Sequence, residues 1–299
     1  MRKQLDARGR EILITGGTSG VGLETAKILV AANARVTLVG SDPAKGAAAE
    51  RALSELGSGQ STFVAADLSS LNEVHRLAVM LAERLDRLDV LINNAGIVTT
   101  SRAVTVDGYE RTFAVNYLAP FALTGELLPL LGRAQAGRIL SLTAAVEPIG
   151  RLRFDDLQGA RHFGGLRAYA QSKRALAMYT IELARRLQEE KAPVTANVVD
   201  PFVVRTGLTS SHDVPALFKL SRPLMIRPAT AARWVARVAV DERLAGTTGR
   251  HFMLGRRAPS PPGSRSRRRA ARLWDASTEL VRTAQAAVPA SEPGLQARA

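Results

Sequence analysis

The sequence has no cysteine, few histidines and no long apolar run. Without cysteine among its 299 residues, the protein can form no disulfide, thiolate metal site or cysteine nucleophile. The histidines, His75, His162, His212 and His251, are scattered without the spacing of metal ligands, so no metal site is expected. No apolar run approaches the roughly 18 residues of a membrane span, and the N-terminus is charged. We therefore predict a cytoplasmic protein with no membrane span.

Acidic residues are outnumbered by basic ones, and the formal net charge is +14. Much of this charge lies in "GRRAPSPPGSRSRRRAAR" at 255–272. Such a segment is either an electrostatic patch for nucleic acid, membrane or acidic partners, or a solvated arginine-rich linker. We favour the linker and expect no nucleic-acid partner, because no nucleic-acid module or interleaved aromatic residues accompany the charge.

Short apolar strands alternate with helices through the first 200 residues. Strands are predicted at 11–16, 34–40, 61–67, 88–94, at the start of 137–150, and at 194–200. Helices are predicted at 22–33, 43–56, 71–85, roughly 107–131, and 165–190. This alternation predicts an α/β fold, a single doubly wound parallel sheet with helices on both faces. Ligands of such sheets bind beyond the carboxyl ends of the strands.

The rest of the chain is more mixed. We predict a substrate flap at about 202–228, a helix at 230–244, an edge strand at 249–254 and an amphipathic C-terminal helix at 267–284. The flap carries apolar and basic residues that could contact a substrate: Val203, Val204, Leu208, Leu217, Phe218, Leu224, Arg205 and Lys219. We expect one domain over 1–255, then a linker, the terminal helix and a disordered tail over 256–299.

A glycine-rich loop joins the first strand to the first helix. Its residues are Thr15, Gly16, Gly17, Thr18, Ser19, Gly20, Val21 and Gly22. Glycines permit a tight turn and a close approach to a pyrophosphate, which the helix N-terminus then faces. In this position the loop predicts a dinucleotide site.

Tyr169 and Lys173 are four residues apart in one predicted helix, so they share a face. A lysine ammonium stabilises a phenolate and lowers the pKa of tyrosine toward the neutral range, which would make Tyr169 a usable acid or base. An ordinary amphipathic helix shows the same spacing, but here the pair follows a nucleotide loop at the distance expected for one crevice.

Over about 9–255 the chain resembles the short-chain dehydrogenase/reductase family, which has a Rossmann fold. The matching motifs are TGxxxGxG at Thr15–Gly22, Asp67 and Leu68 in "ADL", NNAG at Asn93, Asn94, Ala95 and Gly96, Asn116 in "FAVNYLAPF", and YxxxK at Tyr169 and Lys173. "FDDLQG" and "TTGRHF" resemble the retinol-dehydrogenase-like branch. The resemblance implies hydride transfer between a nicotinamide and a carbonyl or alcohol. It also implies that Tyr169 is the acid/base, that Lys173 binds ribose and tunes the tyrosine, and that Asn116 holds a relay water.

Two residues depart from the family pattern at the reaction centre. The family's substrate-orienting serine aligns with Ala144, next to Thr143, whose hydroxyl should face away unless the strand bulges. The family's Pro-Gly after the sixth strand becomes Pro201-Phe202. Cofactor binding, including the contact at Pro201, is therefore better supported than turnover.

The end of the second strand bears on the cofactor. Gly40 and Ser41 stand where a carboxylate would meet the ribose of NAD(H), and Asp42 is one residue beyond. Small neutral residues do not repel a 2′-phosphate, so we expect NADP(H) rather than NAD(H).

The leading hypothesis is an NADP(H)-dependent oxidoreductase for a small apolar carbonyl, alcohol or conjugated alkene, with an atypical active site. Two alternatives stay open: a non-redox enzyme, such as a cyclase or dehydratase, on the same scaffold, and a catalytically silent nucleotide-binding or scaffold protein. A homo-oligomer is also left open.

Overall fold

The computed structural model describes residues 5–56, 59–204 and 225–286. Within them, eight strands form one sheet in the order β3-β2-β1-β4-β5-β6-β7-β8. The strands are β1 (Glu11–Thr15), β2 (Arg35–Gly40), β3 (Gln60–Ala65), β4 (Val90–Asn93), β5 (Gly137–Leu142), β6 (Val194–Asp200), β7 (His251–Met253) and β8 (Arg256–Ala258). All neighbouring pairs are parallel except β7 and β8. The predicted doubly wound sheet is confirmed.

The strand order reverses between β1 and β4, which are neighbours in the sheet. Connections leave β1 toward one edge and β4 toward the other, so the loops that follow these two strands border a crevice at the switch point. This crevice is where the glycine loop and the NNAG motif meet.

The long helices cover both faces of the sheet. They are α1 (Gly20–Ala31), α2 (Pro43–Ser54), α3 (Leu71–Arg84), α4 (Arg111–Gly132), α5 (Gly165–Glu189), α6 (Pro228–Val240) and α7 (Arg267–Ala286). One apolar cluster joins the sheet to α1, α2 and α6, and a second joins it to α3, α4, α5 and α7.

Several predicted bounds shift for reasons that the local residues explain. Helix α4 starts later than the predicted 107, because the Glu110 carboxylate caps it by accepting from the N–H groups of Thr112 and Phe113. Helix α6 ends at Val240 rather than 244, since Asp241 caps a short 3₁₀ turn through the Arg243 N–H. We did not predict β8, whose sequence "RRA" lacks an apolar pattern.

Helix α4 is the one helix of the described residues that is long and apolar enough to span a membrane by length and composition alone. Of its apolar window, 72% is buried inside the protein. It packs in the apolar cluster with α3 and α5, and core helices pass the same test.

The terminal helix α7 docks on the outer face of α4 and α5. Trp274 packs edge-on against Phe121 at 5.4 Å between ring centroids. The Arg186 guanidinium lies 3.9 Å from the Trp274 ring centroid. The Tyr117 hydroxyl, fully buried on α4, is 2.7 Å from Ser277 Oγ. The predicted tail beyond 286 lies outside the described residues.

Candidate active site

The loop between β1 and α1 depends on its glycines. Gly16 and Gly20 have φ values of +63° and +55°, in the left-handed region. A Cβ at Gly22 would lie 2.3 Å from the Gly16 carbonyl oxygen, so the close packing of loop and helix requires glycine there. The N-cap Ser19 makes no side-chain hydrogen bond to α1, which leaves the first N–H groups of the helix available to an anion.

The NNAG motif braces this loop from the end of β4. Asn94 Nδ2 donates to the carbonyl oxygens of Thr15 and Gly16, at 2.9 and 3.0 Å. The Thr15 hydroxyl in turn accepts from the N–H groups of Asn94 and Ala95. The structure therefore brings together these residues, which were predicted from separate motifs.

The end of β2 carries no carboxylate, as expected. A Cβ at Gly40 would lie 3.2 Å from Thr18 Oγ1, which places Thr18 beside this strand end. Asp42 is the N-cap of α2 and accepts from the N–H groups of Ala44 and Lys45. The hydrogen bonds from Lys45, whose Nζ lies 3.2 Å from the carboxylate, hold the pKa of Asp42 below its ordinary value. We did not predict Lys45, a basic side chain near this end of the crevice.

Asp67 and Leu68 follow β3, next to Gly40 in the sheet, through the hydrogen bond from Ala66 N–H to the Gly40 carbonyl. The exposed Asp67 carboxylate accepts from the Ser69 N–H at 2.9 Å, while Leu68 is buried. Asp67 and Leu68 belong to the end of the crevice that is far from Tyr169.

Asn93, the first residue of the NNAG motif, is held in the core. Its Nδ2 donates to Thr124 Oγ1, and its buried Oδ1 has no hydrogen-bond partner in the described residues.

Lys173 and Asn116 meet the NNAG motif at Gly96. A Cβ at Gly96 would lie 3.2 Å from Lys173 Nζ and 3.5 Å from Asn116 Oδ1. Lys173 is 3% exposed, and its Nζ donates to the Leu142 carbonyl at the end of β5. Its Nζ lies 5.8 Å from the centroid of the Tyr169 ring. Helix α5, the NNAG turn and β5 thus converge on one ammonium group.

The pKa of Tyr169 is not lowered, contrary to the expectation that the Lys173 ammonium would lower it. Burial raises the pKa of Tyr169 above its ordinary value, and the negative charge of Asp200 raises it further. Burial lowers the pKa of Lys173 to about 8, against the opposing effect of Asp200. Lys173 is therefore still a cation at neutral pH, but one that loses its proton on moderately alkaline titration.

Asn116 lies in a π-helical turn, Ala114–Leu118, within α4. Its amide is fully engaged: Oδ1 accepts from the Ile97 N–H, and Nδ2 donates to the Ile97 carbonyl and to Ser172 Oγ. The side chain therefore fixes the loop after β4 against α5. The π turn is the kind of local distortion that often marks functional sites.

At the end of β5, Thr143 stays in the sheet and Ala144 leaves it. The Thr143 N–H donates to the Val199 carbonyl, which continues the pairing with β6. Thr143 is 3% exposed, and its Oγ1 has no hydrogen-bond partner in the described residues. Ala144 is half-buried at the crevice edge. The Thr143 hydroxyl is therefore buried, whereas Ala144 is partly exposed.

The end of β6 holds a residue that we did not predict. Asp200 is 4% exposed, and burial raises the pKa of its carboxyl, while the Phe202 N–H and Lys173 oppose that shift. Its Oδ1 accepts from the Phe202 N–H at 2.6 Å. Phe202, after the buried Pro201, has φ of +66°, a conformation that glycine adopts readily and phenylalanine does not. The sequence does contain a signal for Asp200, because it is a charged residue at the crevice end of an apolar strand.

A dinucleotide fits the described part of the crevice. The left-handed glycines and the uncapped α1 supply N–H groups for a pyrophosphate, and Lys173 lies at the other end with its ammonium beside Gly96. In the described residues no group of histidine or acidic side chains could hold a metal ion. Of the predicted flap, 205–224 lies outside the described residues, and with it Arg205, Leu208, Leu217, Phe218, Lys219 and Leu224.

Comparisons with known proteins identify the family of this chain. Residues 10–214 match the family model described as short chain dehydrogenase. Retinol dehydrogenase 13 of Homo sapiens is 35% identical over 288 residues, which cover 91% of this chain and 85% of that protein. Polyprenol dehydrogenase of Danio rerio is 34% identical, over 92% of this chain and 88% of that protein.

Solved structures give the same result. An uncharacterized protein from Mycobacterium paratuberculosis superposes with a TM-score of 0.76 at 30% identity, over 93% of this chain and 96% of that one. The NADP complex of RhlG from Pseudomonas aeruginosa has a TM-score of 0.68 at 28% identity, over 85% of this chain and 97% of that one. The chain belongs to the short-chain dehydrogenase family, and its relatives include retinol dehydrogenases. It is an oxidoreductase of that family, whose members bind a nicotinamide cofactor.

Proposed function

We propose that the protein is an NADP(H)-dependent oxidoreductase that acts on an apolar carbonyl, alcohol or conjugated alkene, with Tyr169 as the proton-transfer residue. The observation that carries the proposal is the meeting of Lys173, Asn116 and Gly96 beside an intact glycine loop, one helical turn from Tyr169. This arrangement supports proton transfer and nucleotide binding in one crevice.

The bound nicotinamide would supply or accept the hydride. In reduction, the Tyr169 hydroxyl would donate a proton to the substrate oxygen, because its raised pKa keeps it protonated at neutral pH. Lys173, a buried cation on the same face of the helix as Tyr169, would stabilise the phenolate that remains. Asn116 would hold the loop after β4 in place, since its amide bonds both Ile97 and Ser172.

The residues at the end of β2 support NADP(H) over NAD(H). No carboxylate stands at Gly40 or Ser41, and the Asp42 carboxylate is held by the N-terminus of α2. Lys45 lies beside it and offers a positive charge to a 2′-phosphate. A ribose without the phosphate would need a free carboxylate at this point.

The relatives support the substrate class. Retinol and polyprenol, the alcohols in their names, are apolar, and we propose an apolar alcohol or its carbonyl for this chain. A cytoplasmic location is part of the proposal.

Tyr169→Phe tests the proton transfer. This variant keeps the ring and removes the hydroxyl, so we expect turnover of retinal with NADPH to fall at least about a hundredfold, with NADPH affinity unchanged. Tyr179→Phe is the matched control, because Tyr179 lies on the same helix but in the core. Near-normal turnover in Tyr169→Phe would refute the assignment. Tight NADPH binding with no turnover of any apolar aldehyde, alcohol or enone would favour the silent alternative.

Calorimetric titration with NADPH and NADH tests the cofactor. We expect tighter binding of NADPH, and a selective loss of NADPH affinity in Lys45→Gln, since that change removes the charge beside the phosphate position. Lys27→Gln, on α1, is the control for loss of a lysine that pairs with a neighbouring carboxylate. Tighter binding of NADH than NADPH would overturn the preference.

A further inference from the structure

An arginine-rich cleft lies apart from the glycine loop, between the segment after β5, the start of α5 and the start of α7. Its volume is about 1220 Å³, and its walls include Arg151, Arg153, Arg167, Arg269 and Arg272. We refer to it as the arginine cleft. Two of these arginines, Arg269 and Arg272, belong to the basic segment at 255–272, which thus contributes to a defined concave surface rather than only to a linker.

No described carboxylate pairs with the positive charges of the arginine cleft. Among the described residues, none of the five guanidinium groups forms an ion pair with a carboxylate. Asp155, the acidic residue of the lining, is 3.9 Å from Arg161 instead. Within the described part of the chain, the Arg269 side chain donates only to the Leu152 carbonyl, and the Arg167 side chain only to that of His162. Like charges concentrated in this way repel one another unless an anion binds between them.

The helix ends add to this imbalance. Arg167 lies in the first turn of α5, and Arg269 in the first turn of α7, and neither first turn contains an acidic residue. Cations at the positive end of a helix dipole are unfavourable, and a bound anion would reverse the sign of that interaction. The placement of both arginines therefore favours an anionic ligand over an empty solvated surface.

The same cleft has an apolar side. Ile149 is 64% exposed, and Leu166 and Phe154 are half-buried in the lining. An inorganic anion would leave these surfaces in water, whereas an alkyl chain would cover them. The cleft thus combines bidentate donors for an anion with a hydrophobic wall for a chain.

We propose that the arginine cleft binds the phosphate group of an anionic amphiphile, a phosphate monoester joined to a hydrocarbon chain. Several guanidinium groups match a phosphate, with its greater charge and three acceptor oxygens, better than a single carboxylate. A nucleic acid fits less well, because the lining has one aromatic residue, Phe154, and the Arg272 guanidinium already lies 4.4 Å from its ring centroid, over one of its faces. The proposal does not depend on the redox function, since its test is binding.

Calorimetry with octyl phosphate, below its micelle concentration, tests this binding on the full-length protein. Arg151 and Arg153 make no side-chain hydrogen bond or ion pair in the described residues, so R151Q/R153Q should fold normally. We expect saturable binding that the variant weakens about tenfold or more, a loss of about 1.4 kcal/mol or more. R51Q/R233Q, two exposed arginines outside the cleft, removes the same charge and should bind like the parent protein. Unchanged thermal unfolding and NADPH affinity in both variants control for folding.

The nature of the amphiphile is resolved by further titrations. Octanol and inorganic phosphate should each bind at least about tenfold more weakly than octyl phosphate, because each lacks one half of the ligand. If the parent protein sediments with phosphatidylcholine vesicles that contain phosphatidic acid, and R151Q/R153Q does not, the bound phosphate is that of a lipid headgroup. Binding of octyl phosphate alone identifies a free amphiphile. The proposal is overturned by an absence of saturable octyl phosphate binding, by equal binding in the two variants, or by an RNA oligonucleotide that binds more tightly at the same arginines.

Discussion

At the scale of single residues, we propose that the end of β5 determines how strongly a bound carbonyl is polarised. Ala144 offers no side-chain hydrogen-bond donor at the crevice edge, and the Thr143 hydroxyl is buried without a partner in the described residues. Restoring a donor that stabilises developing charge is worth roughly a hundred- to a thousandfold. We expect Ala144→Ser to raise reduction of a generic ketone by a factor of this order in steady-state assays. Thr143→Val is the comparison, and a large loss of native activity in it would show that Thr143 has the serine's role.

Phe202 departs from the family pattern in a second way, through its backbone conformation. Its φ of +66° brings Cβ close to the following carbonyl, which costs roughly 1–2 kcal/mol for a non-glycine residue. We expect Phe202→Gly to raise the free energy of unfolding by about 1 kcal/mol in urea titrations. Phe202→Ala keeps the Cβ and should give no such gain. Equal stability of the two variants would mean that the strain is absent.

Residue spacing carries enough information to place several candidate site residues near one another. Tyr169, Lys173 and the NNAG motif could be placed by motif order, and the structure brings Lys173, Gly96 and Asn116 together. Asp200 carried only a general signal, a charged residue at the end of an apolar strand, which does not assign it a role. Its importance comes from burial beside Lys173, which depends on the pairing of β6 with β5 rather than on any local pattern.

At the scale of elements, α7 is held to the core by a buried hydrogen bond. Tyr117 Oη and Ser277 Oγ are 2.7 Å apart, and both residues are almost fully buried. Ser277→Ala leaves the tyrosine hydroxyl buried without this partner, so we expect a loss of about 1–3 kcal/mol in urea unfolding. Tyr117→Phe combined with Ser277→Ala should cost less than the sum of the single changes. Additive losses would show that the two groups are not coupled.

Elements with strong periodicity were predictable and those shaped by tertiary contacts were not. The apolar strands and the amphipathic helix that became α7 follow from sequence pattern, because burial requires apolar residues at fixed intervals. The π turn around Asn116 follows from the side-chain hydrogen bonds of that residue across the crevice. Strand β8 exists because β7 offers an open edge to it, which a charged three-residue sequence does not indicate.

At the scale of the whole molecule, a buried polar cluster joins four parts of the chain. Glu147, after β5, is 3.2 Å from Arg174 of α5 and accepts from Ser264 Oγ, which precedes α7. His251 of β7 lies 3.8 Å from the same carboxyl. Burial raises the pKa of Glu147 to about 7, despite Ser264 and Arg174, and Asp200 adds to the increase. Burial and the charge of Arg265 lower the pKa of His251 to about 4.

These two shifts have opposite effects on the pH dependence of stability. Between about pH 4.5 and 7 the folded protein holds a proton on Glu147 that the unfolded chain releases, so this contribution is lost as pH rises. Between about pH 4 and 6.5 the unfolded chain protonates His251 and the folded protein does not, so this contribution is lost as pH falls. In the parent protein the two slopes oppose each other over the shared range.

Removing one member of the pair should therefore expose the slope of the other. In Glu147→Gln, we expect the free energy of unfolding to rise between pH 4.5 and 6.5 by an amount on the order of 2 kcal/mol, because His251 then acts alone. In His251→Gln, it should fall over the same range by a similar amount. Urea titrations at closely spaced pH values measure both. If both variants show the same pH dependence of the free energy of unfolding as the parent protein, burial in this cluster does not shift the pKa values of Glu147 and His251.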